Sequence, residues 1–162
     1  MGKTVEFDTA FDRVLGNEGG YTFNEKDPGG ETKWGISKRS YPHLNIKELT
    51  REDAKRIYYA DFWRNCGVGL HDSVVYQVFD AAVNHGIGNA IRMLQRAAKV
   101  ADDGHWGPVS ATAYEAMDES DALIRFLSQR LRFMAKLTTW LEFGRGWANR
   151  IADDLDYAAQ DN

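Results

Sequence analysis

The chain has 162 residues, 43% of them hydrophobic and 27% charged, with a formal net charge of −4. That size suits one domain with a full core, and the balance of apolar and charged residues excludes a disordered chain. Lys and Arg are scattered beside Asp and Glu, so the basic stripe of a nucleic-acid binder is missing, and the single cysteine, Cys66, excludes an internal disulfide.

The opening segment, MGKTVEFDTAFDRV, is charged and amphipathic and lacks the continuous apolar run of a signal peptide. No stretch of the sequence is apolar enough to span a bilayer. Phe7, Phe11, Val14 and Leu15 recur at helical spacing and predict a first helix; Glu18 continues the same face before Gly19-Gly20 stops it. Residues 21–46 hold Gly, Pro and alternating polar and apolar residues, which predict a long loop or short irregular hairpin with a helical turn near Lys38. Thr50 and Asp53 have capping-box spacing for a second helix, with Ile57, Tyr58, Phe62 and Trp63 on its apolar face. Asp72 is placed to cap a third helix that carries Val74, Val75, Val78, Phe79, Ala82 and Val83 and ends at NHGIG. A short helix over 89–100 is expected to turn Ile91, Leu94 and Ala98 inward. A tight turn follows at ADDGHWGP, where Pro108 suits the first position of the next helix. Ser120 is expected to cap a long helix to about Thr138, and a last helix to run from about Phe143 to Ala159. The expected fold is mainly α, a single domain over 1–162 with a small irregular or β lobe near residues 20–40.

Chemistry concentrates in one stretch, NEGGYTFNEKDPGGETKWGIS, which carries Glu18, Glu25, Asp27 and Glu31 within or beside two Gly-Gly pairs. Cleaving a glycosidic bond needs an acid to protonate the leaving oxygen, and commonly a second group to activate water or stabilise positive charge. An acid at the end of an inward helix face would meet both partial burial and the negative end of the helix dipole. Both disfavour its charge, so Glu18 is the expected proton donor. Asp27, on a polar Gly-rich loop, would stay ionised, and Thr32 could hold the attacking water. Glu25 and Glu31 are further candidates for the second carboxylate. Tyr21 and Tyr58 are candidate aromatic contacts for a sugar face, and Asn84 and His85, before Gly86, are candidate partners for hydroxyl and acetamido groups. Trp34 and Trp63 read as packing residues. The four histidines show no metal-ligand spacing, DDGHWGP lacks that of a calcium loop, and neither a Walker loop nor a Gly-x-Ser-x-Gly elbow is present. No metal or cofactor is expected.

This stretch closely resembles the start of the glycoside hydrolase family 108 N-acetylmuramidases, which carry a Glu-Gly-Gly-Tyr signature; its Glu matches Glu18. The pattern from Asp27 to Ser37 matches the family's Asp-Pro-Gly-Gly, then Thr, Trp and Gly-Ile-Ser. FDAAVNHGIGNAIRMLQRAAKVADDGHWGP resembles the second half of the same proteins, usually described as peptidoglycan-binding, and FGRGWANR resembles their Gly-Trp-x-x-Arg pattern. The Glu18, Asp27, Thr32 spacing is also similar to that of the T-even phage lysozymes, with four residues in place of five between the Asp and the Thr. The resemblance implies a lysozyme-like helical fold, with a catalytic half over 1–86 and a helical, peptidoglycan-binding-like half over 87–162. It further implies hydrolysis of the β-1,4 bond between N-acetylmuramic acid and N-acetylglucosamine by Glu18, with Asp27 and Thr32 positioning water. A monomer is expected, with peptidoglycan glycan strands as its partner and no stable membrane association. As an endolysin it would be made in the bacterial cytoplasm and act on periplasmic peptidoglycan after holin release. The alternatives are a lytic transglycosylase working through one Glu, and a non-catalytic wall-binding module.

Overall fold

The computed structural model describes residues 5–16, 19–26, 29–66 and 69–162. Glu18 and Asp27 lie outside the described residues. The chain divides into two compact units, residues 6–64 and residues 65–162, the latter joined by Val5. Among the described residues no helix is long and apolar enough to cross a membrane.

In the first unit, α1 spans Phe7–Leu15 and buries Ala10, Phe11, Val14 and Leu15, the stripe the periodicity predicts. It stops at Gly16, not at Gly19-Gly20. Gly16 sits at φ 59°, a left-handed conformation that a residue without Cβ adopts freely, so the first available glycine ends the helix. The loop beyond forms a three-stranded antiparallel sheet in chain order, β1 (Thr22–Phe23), β2 (Glu31–Lys33) and β3 (Ile36–Ser37). The helical turn expected near Lys38 instead forms at Ile46–Glu48, and Lys38 donates from Nζ to the Leu44 carbonyl at 2.7 Å.

Helix α2 (Arg51–Asp61) begins with both halves of its capping box. The Asp53 amide donates to Thr50 Oγ1 at 3.1 Å, and the Thr50 amide to Asp53 Oδ2 at 3.0 Å. Buried Tyr58 meets the Phe11 ring edge-on at 5.3 Å, and Phe7 contacts the rings of Tyr59 and Trp63. Ion pairs Lys55–Asp8, at 2.6 Å, and Arg51–Asp12 flank this aromatic seam between α1 and α2.

The second unit holds α3 (Asp72–His85), α4 (Ile87–Ala97), α5 (Pro108–Glu115), α6 (Glu119–Ala135) and α7 (Trp140–Asp161). Helix α3 packs against α4, α6 and α7, and Val74, Val78, Phe79, Ala81 and Ala82 are buried along it. Its cap residue is His71; Asp72 is already the first helical residue, and no side chain caps the end. The next helix begins at Ile87, two residues earlier than expected, and buries Ala90, Met93, Leu94 and Ala97, leaving Ile91 and Ala98 half-buried. Pro108 opens α5 as the spacing predicts. Asp118, not Ser120, caps α6: its carboxylate accepts the Ser120 amide at 3.2 Å, an anionic acceptor being the better partner there.

The turn between α4 and α5 is held by one buried amide. Gln95 donates from Nε2 to Asp103 Oδ1 at 2.9 Å, the His105 carbonyl at 2.9 Å and Ser110 Oγ at 3.1 Å, and its Oε1 accepts the Gly104 amide at 2.9 Å. Cys66 is buried, and burial pushes its thiol up to about 12, so it is protonated at neutral pH and unsuited to attack.

Candidate active site

The candidate residues of the acidic loop are organised by the turn between β2 and β3. Thr32 pairs with Ser37 and Lys33 with Ile36, leaving Trp34 and Gly35 as a two-residue hairpin loop. Both have positive φ, 54° and 75°, the geometry that matches the twist of the flanking strands. Gly35 adopts it at no cost, and a Cβ there would run into the Tyr58 hydroxyl. Trp34 is a bulky residue in an unfavourable conformation, so its surroundings must hold it there.

They do so from four sides. The Trp34 amide donates to the Gly19 carbonyl at 3.3 Å, and its indole Nε1 to the Leu49 carbonyl at 3.0 Å. Its own carbonyl accepts the Tyr58 hydroxyl at 3.1 Å. The indole ring lies on Gly19 so closely that a Cβ there would come within 2.5 Å of it. Gly19 directly follows Glu18, so the chain next to the candidate acid is fixed both by a hydrogen bond and by ring contact.

Thr32 is half-buried on β2, and its hydroxyl lies 2.5 Å from that of Thr22 on β1. Tyr21 is 39% exposed, and its hydroxyl donates to Glu31 Oε2 at 3.0 Å. Tyr58 is 3% exposed; its hydroxyl is engaged on Trp34 and its ring packs on Phe11. Glu25 is exposed in the turn after β1.

In the second unit, Asn84 and His85 end α3. Asn84 is exposed and donates from Nδ2 to the Asp80 carbonyl at 2.8 Å. His85 is half-buried, its ring edge-on to Phe133 at 5.2 Å, and its Nε2 accepts from Arg130 Nε at 3.2 Å. An imidazole accepting at Nε2 carries its proton on Nδ1. Burial and then the Arg130 charge push its pKa down from 6.5 to about 4.

Behind His85 lies a buried charge cluster that joins three helices. Arg130 on α6 donates from one nitrogen to Asp80 Oδ2 on α3 at 2.6 Å and to Asp154 Oδ2 on α7 at 2.7 Å. Arg150 on α7 pairs with Asp80 as well, and the Tyr76 hydroxyl reaches Asp154 Oδ1 at 3.3 Å. Asp80, Arg130 and Asp154 are 0%, 1% and 2% exposed. Burial alone would raise Asp80, but Arg130 and Arg150 outweigh it and hold the carboxyl low. For Asp154 burial and the neighbouring Asp80 charge win, raising it to about 8, so the proton the two carboxyls share rests on Asp154. These residues are not among those the sequence singles out. The cluster's signal was an Asp inside the apolar run VFDAAV and an Arg closing FGRGWANR.

Among the described residues no three His, Cys, Asp or Glu side chains gather as a metal site. No curated protein matches the chain. Among solved structures it is similar to Brucella abortus SagA, at 29% identity and a TM-score of 0.85, over 96% of this chain and 94% of that one. The likeness agrees with a mainly α, lysozyme-like fold. The glycosyl hydrolase 108 family model matches residues 11–86, from α1 through the acidic loop and its Trp34 turn to the end of α3. Residues 11–86 thus carry the match to glycosyl hydrolase family 108, which supports a glycoside hydrolase.

Proposed function

We propose that the chain is an N-acetylmuramidase that hydrolyses the β-1,4 bond between N-acetylmuramic acid and N-acetylglucosamine in peptidoglycan. The observation that carries this reading is the family match, which covers Glu18-Gly19-Gly20-Tyr21 and the whole loop to Ser37. In this reaction Glu18 gives its proton to the glycosidic oxygen as the bond to the anomeric carbon breaks. Asp27 takes a proton from a water that Thr32 helps to hold, and the water oxygen bonds to the anomeric carbon from the opposite face. That course inverts the anomeric configuration. The Trp34 clamp on Gly19 supports the reading, because an acid catalyst must be held within a fraction of an ångström of its proton acceptor.

Exposed Tyr21 offers its ring to a sugar face. Tyr58 acts from beneath, through the Trp34 turn. On the second unit Asn84 and His85 are the proposed glycan contacts, His85 as a neutral donor from Nδ1. An endolysin that lyses its host from within is the biological role proposed.

Glu18→Gln tests the assignment. Loss of a general acid should slow lysis of outer-membrane-permeabilised Gram-negative cells by about 10²–10⁴-fold, with an unchanged far-UV circular dichroism spectrum. Lysis at the wild-type rate would remove Glu18 from its role. Mass spectrometry of the digested wall should show reducing muramic ends; anhydro-muramic ends would make the chain a lytic transglycosylase.

A further inference from the structure

We infer that buried Arg130 is a positioning residue for glycan recognition: it holds His85, at the end of α3, in one tautomer, so that His85 offers a donor to an acceptor oxygen of the sugar. The inference rests on the muramidase reading for the identity of that sugar.

Arg130 uses two parts of its guanidinium differently. The tip nitrogen Nη1 is held by Asp80 on α3 and Asp154 on α7, at 2.6 and 2.7 Å. That fixes the head, and the neck nitrogen Nε then points at His85 Nε2, 3.2 Å away. A guanidinium carries hydrogen on every nitrogen, stays charged and accepts no hydrogen bond. The imidazole nitrogen that faces it must therefore be the bare one, which leaves the single ring proton to Nδ1. A doubly protonated ring would set a second cation against Arg130; burial and that charge keep this form away until about pH 4.

The residue is held from both sides. Phe133 on α6 meets the ring edge-on at 5.2 Å, and Asn89 on α4 donates to the His85 carbonyl at 2.8 Å. Among the described residues no group bonds to Nδ1, and Gln77 Oε1 is the one side-chain atom sealed from water without a partner. The Nδ1 hydrogen is thus open to an incoming group, and that group must be an acceptor. A glycan supplies acceptors as acetamido carbonyl and hydroxyl oxygens. The charge of Arg130 is not offered to the ligand, because two buried carboxylates engage it. A free histidine exchanges between tautomers and loses its donor whenever the proton moves to the other nitrogen. Arg130 removes that state before the sugar arrives, which is preorganisation. The family model ends at Gly86, directly after His85, so the histidine lies within the matched residues and its positioning partner outside them.

The test uses the full chain labelled with ¹⁵N and carrying Glu18→Gln, so that the ligand survives. Long-range proton–nitrogen spectra separate the four histidines, and the signals lost in His85→Asn belong to His85. At pH 7 its Nε2 should resonate as an unprotonated nitrogen and its Nδ1 as a protonated one. Nδ1 should shift when the peptidoglycan tetrasaccharide is added. A protonated Nε2, or no shift of His85 at millimolar tetrasaccharide, would overturn the inference. A second arm measures kinetics on soluble peptidoglycan with Glu18 intact. Arg130→Lys keeps a charge for the two carboxylates but puts a methylene where Nε stood. It should raise KM by about three- to tenfold, the worth of one hydrogen bond, with kcat little changed. His85→Asn keeps a side-chain donor in the place of Nδ1 that needs no Arg130, so adding Arg130→Lys to it should leave KM as it is. An equal rise in both backgrounds, or a fall in kcat alone, would refute positioning and leave Arg130 a structural residue. If Arg130→Lys fails to fold, the spectra of the parent chain still decide the tautomer and the contact. If the wild type cleaves no peptidoglycan, the muramidase reading fails by itself, and the tetrasaccharide shifts still decide the role of Arg130.

Discussion

Replacing Arg130 by Met should be among the most damaging single changes to the second unit. Met replaces the aliphatic stem of Arg130 but ends before the guanidinium, so the charged head and its bonds are what is lost. Arg130 makes two buried charge-assisted bonds, to Asp80 and Asp154. At about 1.5–3 kcal/mol each they bracket a loss of about 3–6 kcal/mol. Two features lower the upper end: Arg150 stays on Asp80, and burial beside Asp80 raises Asp154, which favours its neutral form and lessens its need for a counter-charge. The expected cost is therefore about 3–5 kcal/mol, in line with removal of one partner from a buried ion pair. Urea unfolding followed by circular dichroism and by tryptophan fluorescence measures it, and at this chain length the Tm should fall by about 6–20 °C. Adding Asp80→Asn should recover part of the loss, because a buried carboxylate left with Arg150 as its one cationic partner is then gone; a coupling of at least about 1 kcal/mol is expected. A loss below about 1 kcal/mol for Arg130→Met, or strict additivity in the pair, would refute the view that this cluster ties α3, α6 and α7 together.

His85 binds its proton less well folded, at about 4, than its ordinary 6.5. Between those values the unfolded chain takes up more protons, so this contribution is complete above pH 6.5 and is lost as the pH falls to 4. The ring is partly solvated, which reduces the effect to about 1–2 kcal/mol; a stability-versus-pH curve for His85→Gln should be flatter than wild type by that amount in this window. Gly35→Ala should cost about 1–3 kcal/mol by thermal unfolding, from its positive φ and from contact with the Tyr58 hydroxyl. Tyr58→Phe in the same chain should remove the contact but keep the backbone cost, so partial rescue is expected and full rescue would contradict the φ argument. Thr50→Ala removes one half of the capping box and should cost about 1 kcal/mol in a denaturant titration.

Elements with a strong local signal were legible in the sequence. The α1 stripe, the Thr50–Asp53 box and Pro108 at the start of α5 each follow from chemistry within a few residues of chain. Boundaries set by competition between neighbours were not. Gly16 stopped α1 before the paired glycines could, and Asp118 displaced Ser120 as a cap because two cap residues two positions apart look alike in sequence. The Trp34 turn was the least legible feature. A tryptophan at positive φ contradicts local preference and is stable only through Gly19, Leu49 and Tyr58, which lie 15, 15 and 24 residues away. The buried cluster was missed for the same reason, since Asp80 and Arg130 are 50 residues apart and an Asp inside VFDAAV does not point to its distant partner.

The indole of Trp34 and the missing side chain of Gly19 occupy one space. Any side chain at position 19 must displace the ring, and any smaller residue at position 34 leaves a gap under the backbone that follows Glu18. Neither position can drift alone without moving the loop that holds the candidate acid. In an alignment of the family these two columns should therefore covary: a large ring at 34 with glycine at 19, or a change in both. Directed evolution of the loop should likewise recover substitutions there as pairs, and the single-step routes between such pairs should be poorly active.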